Sequence, residues 1–107
     1  MIITPILPFR RQLKSLLKKY ASLSGELRTL NEQLLSNPTL GTPIGHNCYK
    51  IRLAVASKGK GKSGGARVIT YVQVMNEIIF LLAIYDKSEQ ASISDQQVRE
   101  LLSALPE

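Results

Sequence analysis

Hydrophobic positions in the first third of the chain recur at helical spacing. One apolar stripe, with members at i, i+4, i+7, i+8 and i+11, consists of Phe9, Leu13, Leu16, Leu17 and Tyr20. A second stripe follows a predicted break at residues 22–25 and consists of Leu27, Leu30 and Leu34. It ends before Pro38, because a proline cannot continue a helix. The pattern predicts two short helices that form an antiparallel pair.

The middle of the chain changes to a period of two, which is typical of strands. In residues 49–56, apolar side chains on one face alternate with Lys50 and Arg52 on the other. Residues 66–74 form a second run, and residues 78–85 are apolar throughout, as expected of a covered strand. Residues 2–7 can add a short strand, which Pro5 confines to an edge. The Gly and Pro content of residues 40–47 predicts a loop.

The end of the chain returns to helix. Ser94 and Gln97 have the spacing of a capping box, and Ile93 and Val98 have that of a hydrophobic staple. The predicted fold is α+β, an antiparallel sheet with an N-terminal helical pair and a C-terminal helix, and the helices are expected over one face of the sheet. Because domains usually have about 100–150 residues, residues 1–107 are expected to form one domain.

The charge is strongly positive, with 14 Lys and Arg against eight Asp and Glu. No acidic residue precedes Glu26, and none lies between Glu32 and Glu77. This distribution favours an anionic partner such as nucleic acid. One histidine and one cysteine exclude a disulfide framework and most zinc sites. The longest apolar run has eight residues, and the N-terminus lacks the features of a signal peptide, so we expect a cytoplasmic protein and no membrane contact.

A glycine- and lysine-rich segment joins the first two predicted core strands. Gly59, Gly61 and Gly64 match the spacing of a dinucleotide-binding motif, but the segment opens no helix that could bind a phosphate. A P-loop is excluded because Ala56 stands where its first glycine is required. The segment is therefore either a solvated hairpin tip or a mobile loop whose cations contact RNA phosphates, namely Lys58, Lys60 and Lys62.

The polar face of the strands carries the candidate chemistry. Lys50 and Arg52 share this face, and Arg67, Tyr85 and Lys87 can join them from the next two strands. Cations there would stabilise charge that develops on phosphate oxygens, and their crowding would lower the pKa of a lysine for acid–base work. The alternative is a solvated outer face of the sheet.

Three stretches resemble the RelE/HigB family of bacterial toxins, within the RelE/ParE superfamily. They are YKIRL at residues 49–53, GGARVITY at 64–71 and LAIYDKSE at 82–89. Their order and spacing carry the resemblance, which extends over nearly the whole chain. It implies a microbial-RNase-like fold of helices on a curved antiparallel sheet.

The resemblance also implies a function. The chain would be the toxin of a type II toxin–antitoxin system, an mRNA interferase that cuts mRNA on the translating ribosome. The ribose 2′-OH would attack the adjacent phosphate without a metal or another cofactor. The implied partners are a cognate antitoxin, mRNA and ribosomal RNA, with operator DNA contacted indirectly through the antitoxin complex. We expect the antitoxin on the helical side or in the groove beside the C-terminal helix.

Position by position, the resemblance assigns the basic site residues to Lys50, Arg52, Arg67 and Lys87. Some family members carry a catalytic tyrosine or histidine shortly after the last of these, whereas here Gln, Ala, Ser and Ile occupy residues 90–93. Either Tyr85 or a lysine substitutes, or the family role is not retained in full. Two alternative functions are a ParE-like gyrase inhibitor on the same scaffold and a non-enzymatic basic binding module.

Overall fold

The computed structural model describes residues 1–59 and 64–105. In chain order, its elements are β1 (Ile2–Pro5), α1 (Leu7–Lys19), α2 (Leu23–Ser36), β2 (Thr42–Gly45), β3 (Cys48–Leu53), a 3₁₀ turn (Ala56–Lys58), β4 (Ala66–Gln73), β5 (Ile78–Asp86) and α3 (Asp95–Ser103). The predicted α+β class is confirmed. Within the described ranges, no helix has the length and apolar character needed to cross a membrane.

The strands form one sheet in the order β1-β5-β4-β3-β2. All neighbouring strands are antiparallel except β1, which pairs in parallel with β5 from Ile2 opposite Ile78 to Pro5 opposite Leu81. The predicted edge position of this first strand is confirmed. Pro5 ends it, and the chain then turns into α1, where Pro8 lies in the first turn and its missing N–H costs little.

The prediction of a loop at residues 40–47 is wrong, because β2 forms a hairpin with β3. The turn uses His46 and Asn47, both with φ +58°. Gly41 enters the hairpin with φ +105°, and a Cβ at this residue would lie 2.6 Å from the Lys50 carbonyl oxygen. Only glycine fits this close approach without a backbone shift. The hairpin was missed because β2 is short and mostly exposed.

The helix ends differ partly from the prediction. The break between α1 and α2 lies at residues 20–22, and Gly25 belongs to α2 rather than to the break. The capping box of α3 is confirmed: Ser94 Oγ accepts from the Gln97 N–H at 3.1 Å, and Gln97 Oε1 accepts from the Ser94 N–H at 2.9 Å. These bonds satisfy two of the helix's unpaired N-terminal donors.

The core lies between the helical pair and the sheet. Ile51, Val68 and Ile84 are directly opposite one another on β3, β4 and β5, and all three are buried. The helical pair contributes fully buried side chains such as Phe9 and Leu30. In contrast, α3 lines a cavity with Ala83 and Tyr85, which alternate with Ile84 and belong to the opposite face. The expectation that all helices cover one face is therefore wrong for α3.

Candidate active site

A row of three functional side chains crosses the sheet. Arg52 on β3 pairs with Arg67 on β4, which pairs with Tyr85 on β5. Side chains at directly paired positions point to the same face with Cβ atoms about 5 Å apart. The structure therefore brings together three of the five side chains that the sequence predicted for catalysis.

The members of this row differ strongly in exposure. Arg52 is exposed, whereas Arg67 is only 4% exposed and Tyr85 only 6%. Arg67 lies on a strand with neighbours on both sides, and its Nη1 donates to the Ala66 carbonyl at 3.1 Å. A buried guanidinium does not fit the alternative of a solvated outer face. The row instead extends from an exposed cation into the protein.

Tyr85 has the properties of a hydrogen-bond donor. Its hydroxyl is buried and has no hydrogen-bond partner among the described residues. Burial raises the pKa of Tyr85, and the charge of Arg67 opposes this increase. The phenol therefore stays protonated at neutral pH, so it can donate a proton or a hydrogen bond but is a poor base.

The two lysines predicted for the site lie at its margins. Lys50 is half-buried, two residues before Arg52, and its partner on β4 is Ile69. Lys87 directly follows β5. Its N–H donates to the Gly65 carbonyl at 3.0 Å, and its Nζ donates to the Ala91 carbonyl at 2.8 Å. Lys50 thus lies on the same face as the row but two residues further along β3, whereas Lys87 lies where β5 ends and β4 begins.

The prediction that Lys58 is a mobile cation for RNA contacts is wrong. Its side chain is 6% exposed and forms an ion pair with Asp86, whose side chain is 1% exposed. The 3₁₀ turn holds it there, because Ala56 N–H donates to Glu26 and Ser57 N–H donates to Ser22. Lys60 and Lys62 lie outside the described residues.

Asp86 accepts hydrogen bonds from several separate parts of the chain, and the sequence did not predict this structural role. It accepts from Lys58 Nζ, from Tyr20 Oη at 2.6 Å, and from Ser88 N–H and Oγ at 2.9 and 2.7 Å. Burial alone would raise the pKa of Asp86, but the hydrogen bonds from Lys58, Tyr20 and Ser88 outweigh it and hold this pKa well below its usual range. We call these four residues the Asp86 cluster. It joins the end of α1 and the 3₁₀ turn to the end of β5.

The single cysteine and histidine lie away from this row. Cys48 is buried, and burial raises the pKa of its thiol to about 11. His46 is exposed, and its Nε2 lies 2.9 Å from Asp95 Oδ1 at the start of α3. Cys48 is thus a core residue, and His46 is a residue of the hairpin turn. In the part of the chain that the structure describes, no three metal-ligating side chains converge.

One family model and two solved structures resemble this chain. A family model described as the RelE toxin of the RelE / RelB toxin-antitoxin system matches residues 33–105. A double mutant of E. coli toxin RelE in the free state is 20% identical, with a TM-score of 0.60, and the match covers 96% of this chain and 90% of that one. The isolated E. coli RelE toxin is 19% identical, with a TM-score of 0.56 and coverages of 97% and 98%. These two structures share the fold of this chain.

Proposed function

Because this chain belongs to the RelE toxin family of toxin–antitoxin systems, we propose that it is an endoribonuclease that cleaves mRNA on the ribosome. One observation carries the proposal: the cross-sheet row of Arg52, Arg67 and Tyr85 combines two cations with a protonated hydroxyl on one face. This combination suits a phosphodiester, whose reaction concentrates negative charge on the phosphate oxygens.

The chemistry assigns a role to each side chain. The ribose 2′-oxygen forms a bond to phosphorus, and the bond from phosphorus to the 5′-oxygen breaks, which leaves a cyclic phosphate and a 5′-hydroxyl. Arg52 and Arg67 stabilise the charge on the phosphate oxygens, and Tyr85 donates a hydrogen bond to one of them or a proton to the leaving oxygen. The 2′-OH proton passes to solvent water, and Lys50 and Lys87 add positive charge at the margins of the row.

An antitoxin is the second partner. Two concave surfaces match the expected binding regions. The larger, of about 1100 Å³, lies between α2 and β3 and includes Lys50 and Arg52. The smaller, of about 300 Å³, lies beside α3 and includes Tyr85. An antitoxin segment in either one would cover part of the row, which explains how binding could prevent cleavage.

Tyr85→Phe tests this function with the least disturbance of the fold. Arg67→Ala is less informative, because it also removes a buried side chain. Tyr85→Phe removes a buried hydroxyl without a described partner, so we expect unchanged or increased stability. Cleavage of mRNA on programmed ribosomes should fall by about 100-fold, the typical cost of one transition-state donor. Tyr71→Phe is the matched control, because Tyr71 stacks on Phe80 outside the row.

Product analysis defines the outcomes. The proposal requires that the wild-type chain leaves 2′,3′-cyclic phosphate and 5′-hydroxyl ends, and that Tyr85→Phe loses this activity while Tyr71→Phe keeps it. Absence of mRNA cleavage together with inhibition of DNA gyrase would instead support the ParE-like alternative. Full activity of Tyr85→Phe would remove Tyr85 from the site.

A further inference from the structure

The start of β1 lies beside the turn that joins β4 to β5, and both carry exposed apolar side chains. Ile2 is 67% exposed, Val74 70% and Met75 95%, and Met1 is exposed as well. The Ile2 N–H donates to the Glu77 carbonyl at 2.9 Å, which holds the turn against the strand. We call Met1, Ile2, Val74 and Met75 the apolar end of the sheet. Its exposed surface is on the order of 500 Å², a size at which an apolar patch marks an interaction site.

The apolar end carries almost no charge, although the chain as a whole has a net charge of +6. Residues 1–9 contain no charged side chain, and residues 68–85 contain only Glu77. An anionic partner would gain little from this surface, because the cations of the chain lie elsewhere. A second copy of the chain, in contrast, can approach here with the least electrostatic repulsion. The charge distribution therefore favours self-association at the apolar end.

β1 is an edge strand, and the side that faces away from β5 is free to pair. Ile2 and Ile6 both donate their N–H groups to carbonyls of the β5 segment. Since alternate residues form the bonds of a parallel pair, Ile3 directs its N–H and C=O away from β5. Neither group has a backbone partner in the part of the chain that the structure describes. Pro5, which faces the same way, has no N–H to donate.

We propose that two copies of this chain associate through the apolar end, with their β1 strands paired antiparallel about a two-fold axis at Ile3. The N–H and C=O of Ile3 in each copy then bond reciprocally to those of Ile3 in the other. In this register, Ile2 of one copy lies opposite Thr4 of the other on the same face, which covers the exposed Ile2 side chain. The antiparallel direction also carries the exposed Leu7 of each copy past the start of the other β1, towards Met75.

The expected association is weak. Stable interfaces bury about 800 Å² per partner, which is more than the apolar end alone supplies. The strand pairing is also short, because Pro5 contributes no N–H. We therefore expect a dissociation constant on the order of 100 μM. The Arg52–Arg67–Tyr85 row lies at the opposite end of β4 and β5, so the proposed dimer leaves it open and does not depend on the proposed function.

Sedimentation equilibrium between about 10 and 500 μM protein measures the association. We expect the average mass to rise from that of one chain towards that of two. Ile2→Lys/Met75→Lys places two cations in the apolar end of each copy and should weaken association by at least about tenfold. Leu17→Lys/Leu35→Lys is the matched control, because it adds the same charge at exposed leucines on α1 and α2. The control should associate within about twofold of the wild type.

Hydrogen exchange locates the interface without a substitution. The Ile3 amide should exchange rapidly in dilute protein and at least about tenfold more slowly at high concentration, once it is bonded across the two-fold axis. A chain that stays monomeric up to about 500 μM would overturn the proposal and leave the edge to a strand of another protein. Equal weakening by the two double variants would also overturn it, since the effect would then follow net charge. Association with an Ile3 amide that stays unprotected would place the interface elsewhere and refute the pairing of β1.

Discussion

Asp86→Asn should be among the most destabilising single substitutions in this chain. The change preserves the size of the side chain but removes the negative charge that Lys58 faces. Both side chains are almost inaccessible to solvent, at 6% for Lys58 and 1% for Asp86. Removal of one partner from a buried ion pair typically costs about 3–5 kcal/mol, because the other charge remains buried without compensation. We therefore expect the free energy of unfolding to fall by about 3 kcal/mol.

A double-mutant cycle isolates the ion pair from the other bonds of the Asp86 cluster. Lys58→Met removes the cation and leaves a flexible apolar side chain of similar length. The Lys58→Met/Asp86→Asn variant should be less destabilised than the sum of the two single variants, because neither charge is left alone. A coupling of about 2 kcal/mol is expected for contacting groups of this kind. Urea unfolding at pH 7 measures all three variants and the wild type.

The pH dependence gives an independent check. The pKa of Asp86 is lowered in the folded protein, so the stability that it contributes is present above about pH 4, the ordinary pKa of the carboxyl group. It is lost as the pH falls from there towards the lower folded pKa. The difference in unfolding free energy between the wild type and Asp86→Asn should therefore decrease below about pH 4.

The exposed Lys19–Glu89 pair provides the control. Both of its side chains are more than half exposed, so Glu89→Gln should change stability far less than Asp86→Asn. The account of the Asp86 cluster would be refuted if Asp86→Asn cost less than about 1 kcal/mol, or if the effects of Lys58→Met and Asp86→Asn were simply additive.

Three further predictions concern local structure. Gly41→Ala should destabilise the protein by about 1–3 kcal/mol in urea unfolding, because Gly41 has φ +105° and an added Cβ would press on the Lys50 carbonyl. Gly25→Ala, at a position in α2 with open space around it, should instead stabilise the protein by about 0.5 kcal/mol. Similar effects of the two substitutions would contradict the turn geometry. Ser94→Ala should cost about 1 kcal/mol by removing the capping box of α3, and unchanged stability would mean that the box is dispensable. Cys48, with its pKa raised to about 11, should react with a thiol reagent at pH 8 only after unfolding, and rapid labelling of the native protein would contradict its burial.

Local patterns were sufficient to predict most of the fold. The apolar stripes of α1 and α2, the alternation in β3 and the capping box of α3 are each determined within a single helix or a single strand. β2 escaped prediction because its pairing, from Thr42 opposite Lys50, depends on the neighbouring strand rather than on its own composition. The parallel pairing of β1 with β5 likewise depends on residues about 76 positions apart, as Ile2 opposite Ile78 shows.

The candidate site was predicted less completely for a similar reason. Alternation placed Arg52, Arg67 and Tyr85 on one face, but the sequence could not indicate how deeply Arg67 is buried, since this depends on the elements packed around β4. Lys58 was misassigned because its partner Asp86 is 28 residues away. One signal in the sequence could have indicated this ion pair: Asp86 directly follows a continuous apolar strand. A carboxylate at such a position stays close to the core and needs a cation as a partner.

The central claim is that the cations of the sheet act in cleavage, whereas exposed cations elsewhere, such as Arg10 and Arg11 on α1, do not. Single-turnover cleavage of ribosome-bound mRNA at saturating protein concentration tests this claim directly. The variant Arg52→Gln is compared with Arg10→Gln/Arg11→Gln on α1 and with Arg28→Gln, which removes a matched exposed arginine on α2. The account predicts that Arg52→Gln lowers the cleavage rate by about 100-fold, while the other two variants cleave at the wild-type rate once bound. A normal rate for saturated Arg52→Gln, or a rate loss confined to the α1 variant, would contradict it.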